Sequence, residues 1–145
     1  MSKKSKIQGK TVIISGASGG IGFNVAKRLI EKYDCKIIGI ARNEEKIKKA
    51  IETLGDKKSN FTYRLFDVRE KENWLKFSED LKNEGIKPDI LINNAGFMLP
   101  FTKIENISFD EVDEIVKTNF TSYVYSIKSL LPLINDSEHP AVINV

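Results

Sequence analysis

Short apolar segments alternate along the chain with longer segments of mixed character. The short segments are rich in Ile and Val, and most lack the polar alternation expected of a sheet with one face in water. We therefore predict strands that are buried on both faces. The predicted strands are Thr11–Ser15, Lys36–Ala41, Phe61–Phe66, Asp89–Asn93 and Ala141–Val145.

Apolar residues in the longer segments recur at intervals of three and four, which is the spacing of one helix face. Gly55 and Gly85 are placed to end the second and third predicted helices. Ser108 and Glu111 form a capping box that opens the fourth and longest helix. The four apolar faces are Ile21, Val25, Leu29 and Ile30; Ile47, Ala50, Ile51 and Leu54; Trp74, Phe77 and Leu81; and Val112, Ile115, Val116, Phe120 and Tyr123.

The alternation of strands and helices predicts an α/β fold. Its architecture is a doubly wound parallel sheet with helices on both faces, joined by right-handed crossovers. Such sheets bind ligands at the carboxyl ends of their strands. We therefore expect functional residues at 15–22, 41–43, 66–68 and 93–97.

The length and composition are those of a single globular domain, with 145 residues of which 41% are hydrophobic. The net charge of +3 comes largely from Lys3, Lys4 and Lys6 in a basic leader, residues 1–9, which we predict to be flexible and not a nucleic-acid site. No apolar segment has the roughly 20 residues of a membrane helix, and no signal peptide is visible. Cys35 is the lone cysteine, so we expect no disulfide and no metal site, and we predict a cytoplasmic protein.

Four glycines lie within seven residues where the first strand meets the first helix, in Gly16-Ala17-Ser18-Gly19-Gly20-Ile21-Gly22. A bound phosphate explains so flexible a loop. A backbone without Cβ atoms can approach a pyrophosphate, and the amides of a helix N-terminus point at it. The residues Ile21-Gly22 exclude a P-loop, which needs Gly-Lys there, and Ser18 excludes the GxGxxG motif.

The same loop also matches GxSxG, the nucleophile motif of serine hydrolases, with Ser18 as the nucleophile. That motif requires an acid and a histidine later in the chain. Asp136 and His139 are the available pair. A hydrolase is therefore an alternative at this point.

The spacing GxxxGxG, formed by Gly16, Gly20 and Gly22, fits the loop without exception. It resembles the first turn of the short-chain dehydrogenase/reductase family, with Ser15 in place of a threonine. The family motif NNAG recurs after the fourth strand as Asn93-Asn94-Ala95-Gly96. The resemblance implies a Rossmann-type sheet truncated after the fifth strand, in a nucleotide-binding domain that spans residues 10–145 and is incomplete at its C-terminus.

The resemblance also implies a cofactor site at the strand ends. Asp67 and Val68 match a position near the adenine, and Asn119 matches a catalytic asparagine that holds a water in a proton relay. The competing interpretations are an Asp67 that begins a turn and an Asn119 that is solvated or lies between helices. The implied cofactor-binding residues are Gly16, Ser18, Gly19, Gly20, Ile21, Gly22, Arg42, Asp67, Val68, Asn94, Ala95 and Gly96.

Arg42 indicates which cofactor is preferred. Folds that favour NAD place a carboxylate about 20 positions after the glycine loop, where it binds the ribose 2′-OH. Here the second strand ends in Ala41-Arg42-Asn43, and the planar guanidinium of Arg42 suits a 2′-phosphate. Glu44 and Glu45 suit the first turn of the next helix instead. We therefore predict NADP(H), with a solvated surface arginine as the alternative.

The family's reaction is hydride transfer between a nicotinamide and a small carbonyl or alcohol substrate, with a serine and a YxxxK pair handling the proton. The family's serine would follow Val145. We therefore expect this chain to be an inactive cofactor-binding part of a homo-oligomeric parent, and a non-catalytic nucleotide- or partner-binding protein is the alternative. The residues four positions after Tyr33, Tyr63, Tyr123 and Tyr125 are Ile37, Asp67, Ile127 and Ser129, and none is a lysine.

Overall fold

The computed structural model describes residues 5–145. Its strands are β1 Thr11–Ser15, β2 Lys36–Ala41, β3 Phe61–Leu65, β4 Ile90–Asn93 and β5 Ala141–Asn144. They form one sheet in the order β3-β2-β1-β4-β5, and each strand runs parallel to its neighbours. The predicted α/β fold is confirmed, and the strand bounds differ from the predicted ones by at most one residue.

Five helices connect the strands. They are α1 Gly20–Tyr33, α2 Glu44–Glu52, α3 Lys71–Asn83, α4 Phe109–Val116 and α5 Ser122–Ile134. Short 3-10 helices occupy Gly55–Asn60 and Ile104–Asn106, and a π-helical turn, Lys117–Thr121, joins α4 to α5. Within residues 5–145, no helix is both long and apolar enough to span a bilayer.

The central strand β1 shows why both faces of the sheet need helices. Val12 and Ile14 pack into the core that contains α1 and α2, whereas Ile13 packs into the core that contains α3 and α5. All three side chains are fully buried. Trp74 lies in the second core, as predicted, and its indole N–H donates to the carbonyl of Val68 at 2.8 Å.

The second helix is shorter than its apolar pattern predicts. It ends at Glu52, and Gly55 begins a 3-10 helix that leads to β3. Leu54 is nevertheless buried, because the turn that follows α2 holds it against the same core. Buried residues therefore continue past the end of the helix. The apolar pattern shows which residues are buried, but it does not show where the helix ends.

The fourth predicted helix departs most from expectation. Ser108 caps it and forms the capping box with Glu111, as predicted, but the π-helical turn interrupts it. Its predicted apolar face is largely uncovered, with exposed fractions of 36% for Val112, 49% for Val116 and 66% for Phe120. A helical period shows which residues share a face, but it does not show whether another element covers that face.

Part of the predicted leader is attached to the domain. Ile7 packs against the core beside α1, and its carbonyl accepts from the thiol of Cys35 at 3.1 Å. The N–H of Gly9 donates to the carbonyl of Tyr33 at 2.8 Å. Lys3 and Lys4 lie outside the described residues.

We expect the isolated chain of residues 1–145 to self-associate through β5. This strand forms one edge of the sheet, and Ile143 on it is 46% exposed. Unpaired apolar strand edges promote pairing between chains, and lysine on an edge opposes it. Sedimentation should show association that Ile143→Lys reduces, whereas Thr62→Lys on the opposite edge strand, β3, should not. If the unsubstituted 145-residue chain is monomeric at high concentration, this prediction is wrong.

Candidate functional site

A cleft of about 550 Å³ opens at the carboxyl edge of the sheet, where the loops after β1, β2, β3 and β4 meet. This volume is within the range of small-molecule sites. The cleft therefore lies where the strand ends predict a ligand site, and the binding role of its residues stays a prediction. The predicted residues that line it are Gly16, Ser18, Ile21, Arg42, Asp67, Val68, Asn94, Ala95 and Gly96.

Four predicted site residues are not in this lining: Gly19, Gly20, Gly22 and Asn119. The lining also contains side chains on helices, which a rule based on strand ends cannot find; Lys46 lies on α2 and Glu114 on α4. Three further lining residues, Ala41, Phe66 and Phe97, lie within the predicted strand-end ranges. The lining residues outside those ranges are Ile40, Lys46, Arg69, Glu114 and Thr118.

Hydrogen bonds fasten the loop after β4 to the glycine loop after β1. The hydroxyl oxygen of Ser15 accepts from the backbone N–H groups of Asn94 and Ala95, both at 3.0 Å. The side-chain amide of Asn94 donates to the carbonyls of Ser15 at 3.1 Å and Gly16 at 3.3 Å. The sequence analysis did not predict that Ser15 joins the two loops. The feature that could have indicated it is a polar residue at the buried end of an apolar strand.

Two glycines are required by contacts between these loops. A Cβ atom on Gly22 would lie 2.5 Å from both the carbonyl oxygen of Gly16 and the side-chain nitrogen of Asn94. A Cβ atom on Gly16 would lie 2.9 Å from the Cα of Ala95, and Gly16 has a φ of +69°. The sequence explanation, room for a phosphate, is therefore incomplete, because these glycines are needed before any ligand binds.

Charged side chains form the rim of the cleft between β3 and α4. The guanidinium of Arg69 donates to Asp67 at 2.7 to 3.1 Å and also contacts the carboxylate of Glu114. The side-chain hydrogen bonds from Arg69 hold the pKa of Asp67 below its usual value, so Asp67 stays ionised at neutral pH. Arg42 is farther from Asp67, at 3.9 Å, and its side chain is 70% exposed. Arg42 is therefore available to a ligand in the cleft.

Asn119 lies in the π-helical turn and holds the loop that follows β4. Its side-chain oxygen accepts from the N–H of Phe97 at 2.7 Å, and its side-chain nitrogen donates to the carbonyl of Phe97 at 2.9 Å. The asparagine side chain is thus occupied at both ends, which makes it a positioning residue for a cleft wall. Its catalytic role stays a prediction.

The structure does not support the hydrolase alternative. Ser18 follows β1 at the carboxyl edge of the sheet, whereas Asp136 and His139 precede β5 at the amino edge. The N–H of Ala141, where β5 begins, donates to the carbonyl of Asp89 next to the start of β4. A catalytic triad needs side chains within hydrogen-bond distance, and these lie at opposite ends of the sheet.

Comparison with known proteins supplies the family. The sequence model described as short chain dehydrogenase matches residues 10–145. The chain belongs to this family. Among curated proteins, it is 30% identical over 134 residues to a benzil reductase of Saccharomyces cerevisiae that forms (S)-benzoin, a match that covers 89% of this chain and 50% of the relative. It is 28% identical over 134 residues to the NADP-dependent 3-hydroxy acid dehydrogenase YdfG of Escherichia coli K12, with coverage of 92% and 52%.

A solved structure of the closed form of serine dehydrogenase, in complex with NADP+, matches with a TM-score of 0.80 and 28% identity. The match covers 92% of this chain and 52% of that one. The predicted Rossmann-type fold of a short-chain dehydrogenase is thereby confirmed. The chain spans about half the length of the curated relatives it matches.

Proposed function

We propose that the cleft binds NADP(H) and that the whole protein is an NADP(H)-dependent oxidoreductase of small carbonyl or alcohol compounds. The observation that carries this proposal is Arg42, which follows β2 at the rim of the cleft with an exposed side chain, where a fold that favours NAD has a carboxylate. The relatives support it, since one is named as an NADP-dependent dehydrogenase and another binds NADP+.

The start of α1 fits the pyrophosphate of such a cofactor. α1 begins at the glycine loop with no side-chain cap and no acidic residue in its first turn. By contrast, α2 and α4 begin with the capping side chains of Asn43 and Ser108 and have acidic first turns. An uncapped helix start leaves N–H donors without acceptors, and its dipole favours an anion.

The remaining walls fit the two ends of the dinucleotide. The ionised Asp67 offers acceptor oxygens to an adenine amine beside Arg42. Ala95 and Gly96 leave space for the nicotinamide ring, and Asn119 fixes the wall behind them through Phe97. The bound cofactor supplies the hydride chemistry at C4 of its nicotinamide.

The single tryptophan provides a test of cofactor binding. Trp74 is buried, and its indole donates to Val68, which lines the cleft. Reduced nicotinamide absorbs where tryptophan emits, so NADPH in the cleft should quench Trp74 by energy transfer. We expect saturable quenching at lower concentrations of NADPH than of NADH. Absence of saturable quenching together with absence of calorimetric binding would refute the proposal.

We expect the 145-residue chain to bind cofactor without turning over substrate. Its sequence contains no YxxxK pair, and removing members of a catalytic unit costs about 10³-fold or more in rate. The assay follows NADPH consumption with benzil, and NADPH formation with a 3-hydroxy acid. If the purified, homogeneous 145-residue chain turns over substrate at ordinary enzymatic rates, residues other than a YxxxK pair transfer the proton to or from the substrate oxygen. Binding without turnover is also what the non-catalytic alternative predicts.

A further inference from the structure

Lys46 reaches from α2 to the glycine loop, although its sequence position gives no sign of this. It is the third residue of α2, and its N–H donates to the side chain of Asn43 at 2.8 Å. A Cβ atom on Gly19 would lie 3.2 Å from the Cε of Lys46 and 3.5 Å from its ammonium nitrogen. The ammonium therefore lies beside the residue that opens α1, and Lys46 lines the cleft.

The carboxylate of Glu44, the first residue of α2, is directed away from Lys46. Glu44 accepts from the ammonium of Lys48 at 2.8 Å and from the hydroxyl of Tyr63 at 3.0 Å. Hydrogen bonds from Lys48 and Tyr63 lower the pKa of Glu44 and keep its charge on that side of the helix. Within the part of the chain that the structure describes, no carboxylate lies within salt-bridge distance of the Lys46 ammonium.

The side chains that line the cleft carry more positive than negative charge. Three cationic residues, Arg42, Lys46 and Arg69, line it with two anionic ones, Asp67 and Glu114. Arg69 binds both carboxylates, while Arg42 approaches Asp67 only to 3.9 Å. Arg42, with this one long contact, and Lys46, with no carboxylate in salt-bridge distance among the described residues, are therefore the two cations of the cleft that a ligand can bind. A phosphate monoester, with roughly −1.5 to −2 charge at neutral pH, matches this pair.

We propose that Lys46 is a second residue that distinguishes NADP(H) from NAD(H). Its ammonium binds the 2′-phosphate from the side of the glycine loop, and the guanidinium of Arg42 binds it from the end of β2. This inference rests on the proposed cofactor. It adds a specificity residue on a helix, whose side chain lies beside Gly19 at the start of α1.

The test measures dissociation constants of NADP+ and NAD+ by calorimetry for the parent protein and for Lys46→Gln. Lys49→Gln is the matched control, because it removes the same charge from the same helix. Lys49 is exposed and does not line the cleft. We expect Lys46→Gln to weaken NADP+ about tenfold, the size of one charge-assisted hydrogen bond, and NAD+ less than about twofold. Lys49→Gln should leave both constants within about twofold.

Each other result has one meaning. Equal weakening of both nucleotides by Lys46→Gln would place the ammonium on a group that they share, such as the pyrophosphate, and would overturn the inference. An unchanged NADP+ constant would overturn it as well. A parent protein that binds NADP+ and NAD+ equally would refute the proposed cofactor itself, whereas a parent that prefers NADP+ and is insensitive to Lys46→Gln refutes only the role of Lys46.

Discussion

Replacing Arg42 with alanine is expected to remove most of the preference for NADP+ over NAD+. The guanidinium is exposed at the end of β2, and its planar set of donors suits a phosphate that NAD+ lacks. We expect the affinity for NADP+ to fall about 10- to 100-fold, and that for NAD+ less than about twofold, in calorimetric titrations. Removal of the side chain should not disturb the rim, because Arg69 holds Asp67 independently.

Arg28→Ala is the control for this substitution. Arg28 is exposed on α1, carries the same charge and does not line the cleft. It should leave both dissociation constants unchanged within about twofold. If Arg42→Ala leaves the ratio of the two constants at its parental value, Arg42 is the solvated surface arginine of the alternative interpretation.

Replacing Gly22 with valine is expected to abolish nucleotide binding and to destabilise the domain. The new Cβ would lie 2.5 Å from the carbonyl of Gly16 and from the amide of Asn94, so the loops after β1 and β4 must separate. Overpacking of this kind costs about 1–3 kcal/mol, and here it falls on the hydrogen bonds that shape the cleft. Urea unfolding and Trp74 quenching by NADPH measure the two effects.

Ser18→Ala separates loop geometry from side-chain contact. Ser18 lines the cleft, but its hydroxyl would be one donor among several backbone donors. We expect a loss of less than about tenfold in NADPH affinity and no change in the free energy of unfolding.

The Gly22→Val prediction has a clear contradicting outcome. If the Gly22→Val protein has the stability and the NADPH affinity of the unsubstituted protein, the contacts between the two loops do not shape the site.

The sequence predicts the central strands β1, β2 and β4 well because they are buried on both faces, whereas the expectation of two buried faces is wrong for the edge strands β3 and β5. Val12, Ile13 and Ile14 face two different cores. Because successive residues are all buried, the apolar segment is continuous and its first and last residues are easy to identify. The segment that contains Val116 and Phe120 shows the limit of this reasoning. Its apolar spacing is helical, but that spacing predicts neither the π-helical turn nor the exposure of the apolar face.

The site is predictable to the extent that it follows from strand ends. The sequence places Arg42, Asp67 and Asn94 in the cleft lining because each comes within two residues of a strand end, and parallel strands bring their carboxyl ends to one edge. Lys46 was not found, since its contact with Gly19 depends on the direction of a long side chain on a helix. The bidentate contact of Asn119 with Phe97 was missed for the same reason: it joins residues whose proximity only the packed fold determines.

The most direct test of the central claim is a crystal structure of the protein grown with NADP+. We predict the dinucleotide in the cleft at the carboxyl edge of the sheet, with its pyrophosphate at the uncapped start of α1 and its 2′-phosphate in contact with Arg42. An empty cleft at saturating NADP+, or a nucleotide whose 2′-phosphate lies away from Arg42, would contradict the account.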